Sequence, residues 1–179
     1  MERTDRENEL TPPAAKQQED ELTSEKIWQI LETIQDPEIP VVSVVEMGMI
    51  RSVGLDGQKV IIQFAPTFAG CPALDVIQTE IKQRLLELGA REVQVQVKYS
   101  PPWSSDWITP EARQKLKRFG LAPPPFHAGR LERALEQAAV CPFCGSQETR
   151  LANSFGPTLC RAIYVCTRCS QPFEQFKPL

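Results

Sequence analysis

Residues 59–97 read KVIIQFAPTFAGCPALDVIQTEIKQRLLELGAREVQVQV, and this stretch decides the fold. At residues 60–64 apolar side chains recur at every second position, which is typical of a half-buried strand. Apolar residues then recur at helical spacing, and they predict a helix that opens at Pro72 and is closed by Gly89. Residues 93–97 alternate valine with glutamine, which indicates another strand of a sheet with one buried face.

The flanking segments extend this pattern in both directions. Asp56 and Gly57 form a turn signal that predicts a β-hairpin with a preceding strand. Upstream, Ser24 is a candidate cap for a helix that ends before Pro37. Downstream, residues 109–120 begin with Thr-Pro and end with glycine, as a third helix would. The order helix, hairpin, helix, strand, helix predicts a small α/β domain, and the C-terminal cysteines add a small β zinc ribbon, so the fold class is α+β.

Composition divides the chain into four segments. Residues 1–22 are too polar to offset the entropy of ordering, and we expect a disordered tail there. The α/β domain then occupies residues 23–120. Residues 121–138 contain a run of three prolines, which favours a stiff, extended linker. Residues 139–179 would form the ribbon.

The ribbon is predicted from two Cys-x-x-Cys pairs, Cys141 with Cys144 and Cys166 with Cys169. Each tight turn directs two thiolates at one ion, and four thiolates complete a closed tetrahedral shell that suits structural zinc. Iron uses the same ligand set, so spacing alone does not separate the two metals. Disulfides are the disfavoured alternative. Five aromatic residues are expected to form a small ribbon core: Phe143, Phe155, Tyr164, Phe173 and Phe176.

Two cysteines stand outside these pairs. Cys71 precedes Pro72 at the predicted helix start, where free amides and the helix dipole would lower the thiol pKa and favour a reactive thiolate. A buried core cysteine is the equal alternative. We interpret Cys160 as a buried apolar side chain of the ribbon, with an auxiliary thiol near the ribbon metal as the alternative. His127 is the single histidine, and we interpret it as a surface residue of the linker.

An acidic segment precedes the hairpin and contains Asp36, Glu38 and Glu46. Their carboxylates are hard oxygen donors, and beside a soft sulfur they would suit transient binding of a metal. Turn formation and solvation are the alternative roles of these side chains.

Charge and hydropathy limit the function classes. The 179 residues carry a formal net charge of −3 at pH 7, and their basic residues are scattered. Because clustered Lys and Arg drive sequence-independent binding of nucleic acids, a zinc-ribbon nucleic-acid binder is a minor alternative. No run of about 18 apolar residues could cross a bilayer, and residues 1–10 lack the apolar segment of a secretion signal. We therefore expect a cytoplasmic protein.

Several motifs together resemble a known family. DPEIPVVSVVEMGMIRSV at 36–53, TFAGCPALDVI at 67–77 and PPW at 101–103 resemble the iron–sulfur assembly factor domain. The segments PPWSSDWITPEAR at 101–113 and CPFCGS at 141–146, with FGPTLCRAIYVCTRCSQPFEQFK at 155–177, resemble the D-subunit family of the phenylacetyl-CoA epoxidase system of aerobic phenylacetate breakdown.

The resemblance implies a function and partners. It implies that Cys71 is the functional thiol and that the loop from Asp36 to Pro40 lies near it. Glu46 stands where many relatives have aspartate, which weakens the case for a ligand role. The implied partners are the di-iron oxygenase subunit with its companions and a reductase that carries flavin and a two-iron, two-sulfur cluster.

The implied role is maturation of the oxygenase or reductase, with a transient iron or iron–sulfur species at Cys71, and not epoxidation itself. The residues agree, since one histidine cannot supply paired Glu-x-x-His motifs and no glycine-rich nucleotide-binding turn follows a strand. A non-catalytic structural subunit of the oxygenase is the alternative.

Overall fold

The computed structural model describes residues 22–135 and 137–179. Its first half contains, in order, α1 (Ser24–Thr33), β1 (Gln35–Asp36), β2 (Ile39–Ser43), β3 (Ile50–Asp56), β4 (Lys59–Phe64), α2 (Leu74–Glu87), β5 (Glu92–Val97), a short 3-10 helix (Ser105–Trp107) and α3 (Pro110–Phe119). Its second half contains β6 (Leu121–Ala122), α4 (Leu131–Leu135), β7 (Thr149–Asn153), β8 (Arg161–Cys166) and β9 (Pro172–Phe176). The predicted α+β class is confirmed. The tail predicted for residues 1–22 lies outside the described residues except for Leu22.

The central sheet of the first half has three strands in the order β3-β4-β5. β3 and β4 form the predicted antiparallel hairpin, and Gly57 adopts the left-handed φ of 58° that this turn requires. β4 and β5 are parallel, with Val60 opposite Val93 and Phe64 opposite Val97. Because a parallel pair needs a crossover connection, α2 connects these two strands across one face of the sheet.

The helices begin close to the residues predicted from local capping signals, but not always at those residues. The hydroxyl of Thr23, and not that of Ser24, accepts the capping bond of α1. The second helix begins two residues after the predicted Pro72. The third helix has the predicted Thr109 cap, and Gly120 follows it with a φ of 91°.

The main core lies between the sheet and the first two helices. The apolar stripes of α1 and α2 belong to the same buried cluster as the inward side chains of β4, which are fully buried. The buried residues of these three elements are Ile27, Leu31, Val60, Ile62, Phe64, Ile77, Ile81 and Leu85.

The ribbon is packed against this core. Its sheet has the order β6-β9-β8-β7, so the two residues that follow Gly120 join the ribbon as β6. Phe176 of β9 is 1% exposed and belongs to the main core, with its ring centroid 5.7 Å from that of Trp103. The amide of Ser105 also donates to the carbonyl of Leu179 over 2.9 Å. Residues 121–138, which we predicted as an extended linker, carry regular structure in β6 and α4.

The five-aromatic ribbon core is a wrong prediction. Tyr164 and Phe173 stack with their centroids 5.8 Å apart. Phe143 and Phe155 are 58% and 64% exposed, however, and Phe176 is buried in the main core instead. Two aromatic rings are too few to hold the ribbon together, so its stability depends on the metal site and on its contact with the α/β domain.

His127 is buried, so its predicted surface position is also wrong. Its side chain is 4% exposed, and Nδ1 lies 3.4 Å from Oδ2 of Asp106. Nε2 lies 3.2 Å from the carbonyl oxygen of Leu179 and 3.5 Å from the hydroxyl of Ser104. The histidine therefore links the proline-rich segment to the 3-10 helix and to the last residue of the chain.

None of the helices in the described part of the chain combines the length and apolarity that a bilayer span requires.

Candidate functional site

The first candidate site is the cysteine quartet of the ribbon. The four Sγ atoms of Cys141, Cys144, Cys166 and Cys169 all lie within 4.8 Å of one another. In each knuckle, a backbone hydrogen bond of the first cysteine of the pair shapes the turn. The amide of Gly145, which has a φ of 74°, donates to the Cys141 carbonyl over 2.9 Å, and the amide of Cys166 donates to the Gln171 carbonyl over 3.0 Å.

The quartet fits a tetrahedral metal. A zinc–sulfur bond of about 2.3 Å separates the sulfurs of a regular tetrahedron by about 3.8 Å. The sulfurs of Cys141 and Cys169 are 3.7 Å apart, and those of Cys144 and Cys166 are 3.6 Å apart. Four thiolates close the shell and leave no position for a substrate, so a metal here would hold the knuckles together.

The second candidate site is a small cavity between the α/β domain and the ribbon, which we call the thiol cavity. It has a volume of about 20 Å³ and brings together the β1–β2 turn, the loop before α2, the loop before β8, and β9. Its lining residues are Asp36, Glu38, Ile39, Thr67, Phe68, Gly70, Cys71, Pro72, Thr158, Leu159, Cys160 and Phe176.

Cys71 is half-buried in this cavity. Its carbonyl accepts the amide of Leu74 over 3.2 Å, so the residue lies just before the first turn of α2. Burial raises the pKa of the thiol, the amide of Ala73 opposes this, and the negative charge of Asp36 adds to it. The expected lowering of the pKa by the helix end is therefore wrong, because desolvation outweighs the amide contribution.

Asp36 anchors the acidic turn beside Cys71. Its side chain is almost fully buried, and Oδ1 accepts the amides of Glu38 over 2.7 Å and of Ile39 over 3.1 Å. Burial raises the pKa of this carboxyl more than the two amides lower it. The structure thus brings together Cys71, Asp36 and Glu38 at the lining of one cavity.

Glu46 does not belong to this cavity. One of its oxygens accepts the amide of Ser43 over 3.0 Å, and the other forms an ion pair with Lys115 at 2.7 Å. Burial alone would raise the pKa of Glu46, but the hydrogen bonds from Lys115 and Ser43 outweigh it, and the pKa is lowered. The side chain connects the end of β2 to α3, which is a structural task.

Cys160 lies in the thiol cavity, and its sulfur is not among the four that cluster in the ribbon. The hydroxyl of Thr158 lies 3.1 Å from this sulfur. Burial raises the pKa of the Cys160 thiol, while Thr158 and the charge of Arg161 lower it. The alternative of an auxiliary thiol beside the ribbon metal is wrong, because Cys160 precedes the first residue of β8 whereas the knuckle residue Cys166 is its last, so the two lie at opposite ends of the strand.

Arg161 joins the ribbon to the acidic turn, and no local signal in the sequence indicates this contact. Its guanidinium is mostly buried and donates to the Glu38 carbonyl over 2.6 Å. It also forms an ion pair with Glu174 of β9 at 2.9 Å. This bridge sets the position of the neighbouring Cys160 relative to the turn that contains Asp36.

Comparison with protein families gives two matches along the chain. An iron–sulfur cluster assembly protein family matches residues 24–97, and the PaaD zinc beta ribbon domain matches residues 127–177. The two matches cover the thiol-bearing half and the cysteine quartet respectively.

Individual relatives give a consistent result. A protein of Escherichia coli, provisionally assigned as the D component of 1,2-phenylacetyl-CoA epoxidase, is 40% identical over 152 residues, which are 85% of this chain and 91% of that protein. An Fe-S protein maturation auxiliary factor of Porphyromonas gingivalis is 34% identical over 97 residues, or 52% of this chain and 90% of that protein.

Among solved structures, a crystal structure of a domain of unknown function from Bacillus anthracis is similar over 51% of this chain and 89% of that chain. It is 29% identical, with a TM-score of 0.48.

Proposed function

The chain belongs to the D-component family of phenylacetyl-CoA epoxidase, and from this premise we propose that it is an accessory protein that assists maturation of the oxygenase system. Its substrate would be iron or an iron–sulfur species, delivered to the oxygenase or to the reductase. The observation that carries the proposal is the thiol cavity, in which Cys71 and the acidic turn with Asp36 face the same small space.

The chemistry of the cavity suits transient metal handling. A thiolate is a soft ligand and a carboxylate is a hard one, and iron accepts both. An accessory protein must release its metal, which favours an incomplete ligand shell over the closed shell of the quartet. The raised pKa of Cys71 contributes to this, because a neutral thiol binds metal only after it has lost its proton.

In the described part of the chain, the residues do not form the kind of ligand set that epoxidation at a di-iron centre would need. Among residues 22–135 and 137–179, one group of three or more Cys, His, Asp or Glu residues could hold a metal ion, and this is the cysteine quartet, whose ligand atoms all lie within 4.8 Å of one another. Di-iron oxygenases bind their metals through glutamates and histidines on bundle helices. Four knuckle thiolates on a β-ribbon are a different kind of site.

The ribbon would supply structure and a docking surface. Zinc is the metal we assign to the quartet, because the family that matches residues 127–177 is a zinc ribbon. Phe68 and Leu159 lie at the thiol cavity with 40% and 47% of their surface exposed. Exposed apolar side chains around a metal-handling thiol would suit contact with a client protein in the cytoplasm.

The proposal is tested by expressing the oxygenase and reductase with the wild-type protein, with the Cys71→Ser variant, or alone. Iron content and phenylacetyl-CoA turnover of the purified clients are measured. We expect wild type to give full values and Cys71→Ser to give values close to those of the clients alone. Glu46→Gln is the matched control, since this carboxylate lies outside the cavity. Fully metallated, active clients without the accessory chain would refute the proposal.

A stable structural component of the oxygenase is a second candidate, favoured by a groove of about 570 Å³ between the end of α3 and the ribbon. Exposed Phe119 and Phe143 line this groove together with Phe173. In this case the chain would co-purify in fixed stoichiometry with the active oxygenase, and Cys71→Ser would be silent.

A further inference from the structure

The thiol cavity contains two sulfurs, and they come from opposite parts of the molecule. Cys71 belongs to the loop before α2, whereas Cys160 belongs to the loop before β8 of the ribbon. Resting on the proposed function, we propose that Cys71 and Cys160 together bind one ferrous ion, so that the ribbon contributes a ligand to the maturation site.

The position of Cys160 is fixed from both sides. Its carbonyl accepts the amide of Lys177, next to β9, over 2.8 Å. The following residue, Arg161, reaches across to the Glu38 carbonyl over 2.6 Å and pairs with Glu174. These contacts hold the backbone at Cys160 beside the acidic turn of the other half of the molecule.

The volume of the cavity limits what it can hold. A site needs about 10–15 Å³ to accommodate one water molecule, and this cavity measures about 20 Å³. One monoatomic ion fits this space without expansion of the walls. A preformed iron–sulfur cluster, with several iron and sulfide atoms, does not.

The donor set selects the kind of ion. Two thiolates favour a thiophilic transition metal over magnesium or calcium. Asp36 is 5% exposed and lines the same cavity, and its Oδ1 is occupied by two amides. Among the described residues, Asp36 and the two sulfurs do not form a compact group of three ligands, so the carboxylate is not counted as a ligand and would favour a bound cation through its charge. Further positions stay open for a ligand from the client.

Binding is a proton exchange and involves no change of oxidation state. Two S–H bonds break, two Fe–S bonds form, and two protons pass to the solvent at the mouth of the cavity beside the exposed Phe68. Protons therefore compete with the ion for both thiols. Affinity for iron should therefore increase as the pH rises.

The test uses the full chain with its ribbon loaded with zinc. Ferrous ammonium sulfate is titrated anaerobically, and bound iron and zinc are measured after equilibrium dialysis. We expect one iron per wild-type chain with the zinc retained, and an affinity at least about 10-fold lower for Cys71→Ser and for Cys160→Ser alike. Asp36→Asn should weaken binding, whereas Glu46→Gln should leave it unchanged.

The outcomes separate the two-thiol site from the proposed function. If Cys71→Ser loses iron and Cys160→Ser binds it as tightly as wild type does, the two-thiol site is refuted and a role for Cys71 alone stands. If wild type binds no iron beyond the ribbon, the two-thiol site is refuted, and the client assay decides on the proposed function. A second zinc ion that iron cannot displace would also overturn the assignment of iron.

A measurement on the wild-type chain covers the case in which a variant fails to fold. Iodoacetamide labelling of the zinc-loaded chain, followed by mass spectrometry, reports the reactivity of each cysteine with and without ferrous iron. Simultaneous protection of Cys71 and Cys160 supports the shared site, and protection of Cys71 alone overturns it.

Discussion

Replacement of Phe176 by alanine should destabilise the whole protein and not only the ribbon. The ring is 1% exposed, lines the thiol cavity and packs on Trp103 in the main core. Truncation of a buried phenylalanine costs about 3–5 kcal/mol through lost transfer energy and the cavity left behind. Because domains of this size have a total stability of about 5–15 kcal/mol, such a loss is a large fraction of the total.

Urea unfolding followed by tryptophan fluorescence measures this effect, since Trp103 lies against the ring. Phe143→Ala is the matched control: it removes the same atoms from the same ribbon, but its ring is 58% exposed, and we expect a change within about 0.5 kcal/mol. A loss of less than about 1 kcal/mol for Phe176→Ala would show that the contact between ribbon and core contributes little to stability, and the expectation would be refuted.

Three further predictions concern the turn before β3, the ribbon metal and the acidic turn. Gly48 has a φ of 67°, and a Cβ added there would lie 2.6 Å from Cβ of Trp107, whereas a Cβ added at Gly57 meets nothing within 4 Å. Gly48→Ala should therefore lower the free energy of unfolding more than Gly57→Ala does. Urea unfolding of the two variants measures the difference. Removal of the ribbon metal by a chelator should unfold residues 139–179 and accelerate their amide exchange, which hydrogen-exchange mass spectrometry would detect; unchanged protection would contradict a structural metal. Burial raises the pKa of Asp36, so the folded state holds the carboxyl proton more tightly than the unfolded state does. The free energy of unfolding should therefore fall as the pH rises from about 3.9 toward the raised pKa. In urea unfolding measured across that pH range, Asp36→Asn should remove this dependence of the unfolding free energy on pH.

Local signals in the sequence were sufficient for most of the individual elements. The Asp56-Gly57 hairpin and the helix from Thr109 to Gly120 depend on neighbouring residues, and both were correctly predicted. The cysteine pairs were equally informative, because the spacing of two thiolates within one turn is a local property.

Contacts between distant segments could not be predicted in this way. Nothing near Cys160 indicates that its loop packs beside Cys71, and nothing near His127 shows that it lies over the last residue of the chain. Both positions follow from how the ribbon packs on the α/β domain. The direction of the Cys71 pKa shift could not be predicted from local sequence either, because desolvation by residues distant in the chain outweighs the effect of the local amide of Ala73.

Because Phe176 of β9 lies in the main core and lines the thiol cavity, the complete cavity can form only after β9 has been synthesised. A ribosome that has just completed α3 has already produced Cys71 and Asp36, but it has produced neither Cys160 nor Phe176, which form the opposite wall. Since domains fold in order as they emerge during synthesis, the nascent α/β domain would expose this wall to solvent until the ribbon arrives. The complete cavity therefore exists only after β9 has been synthesised, and a product terminated before residue 160 would carry Cys71 without Cys160.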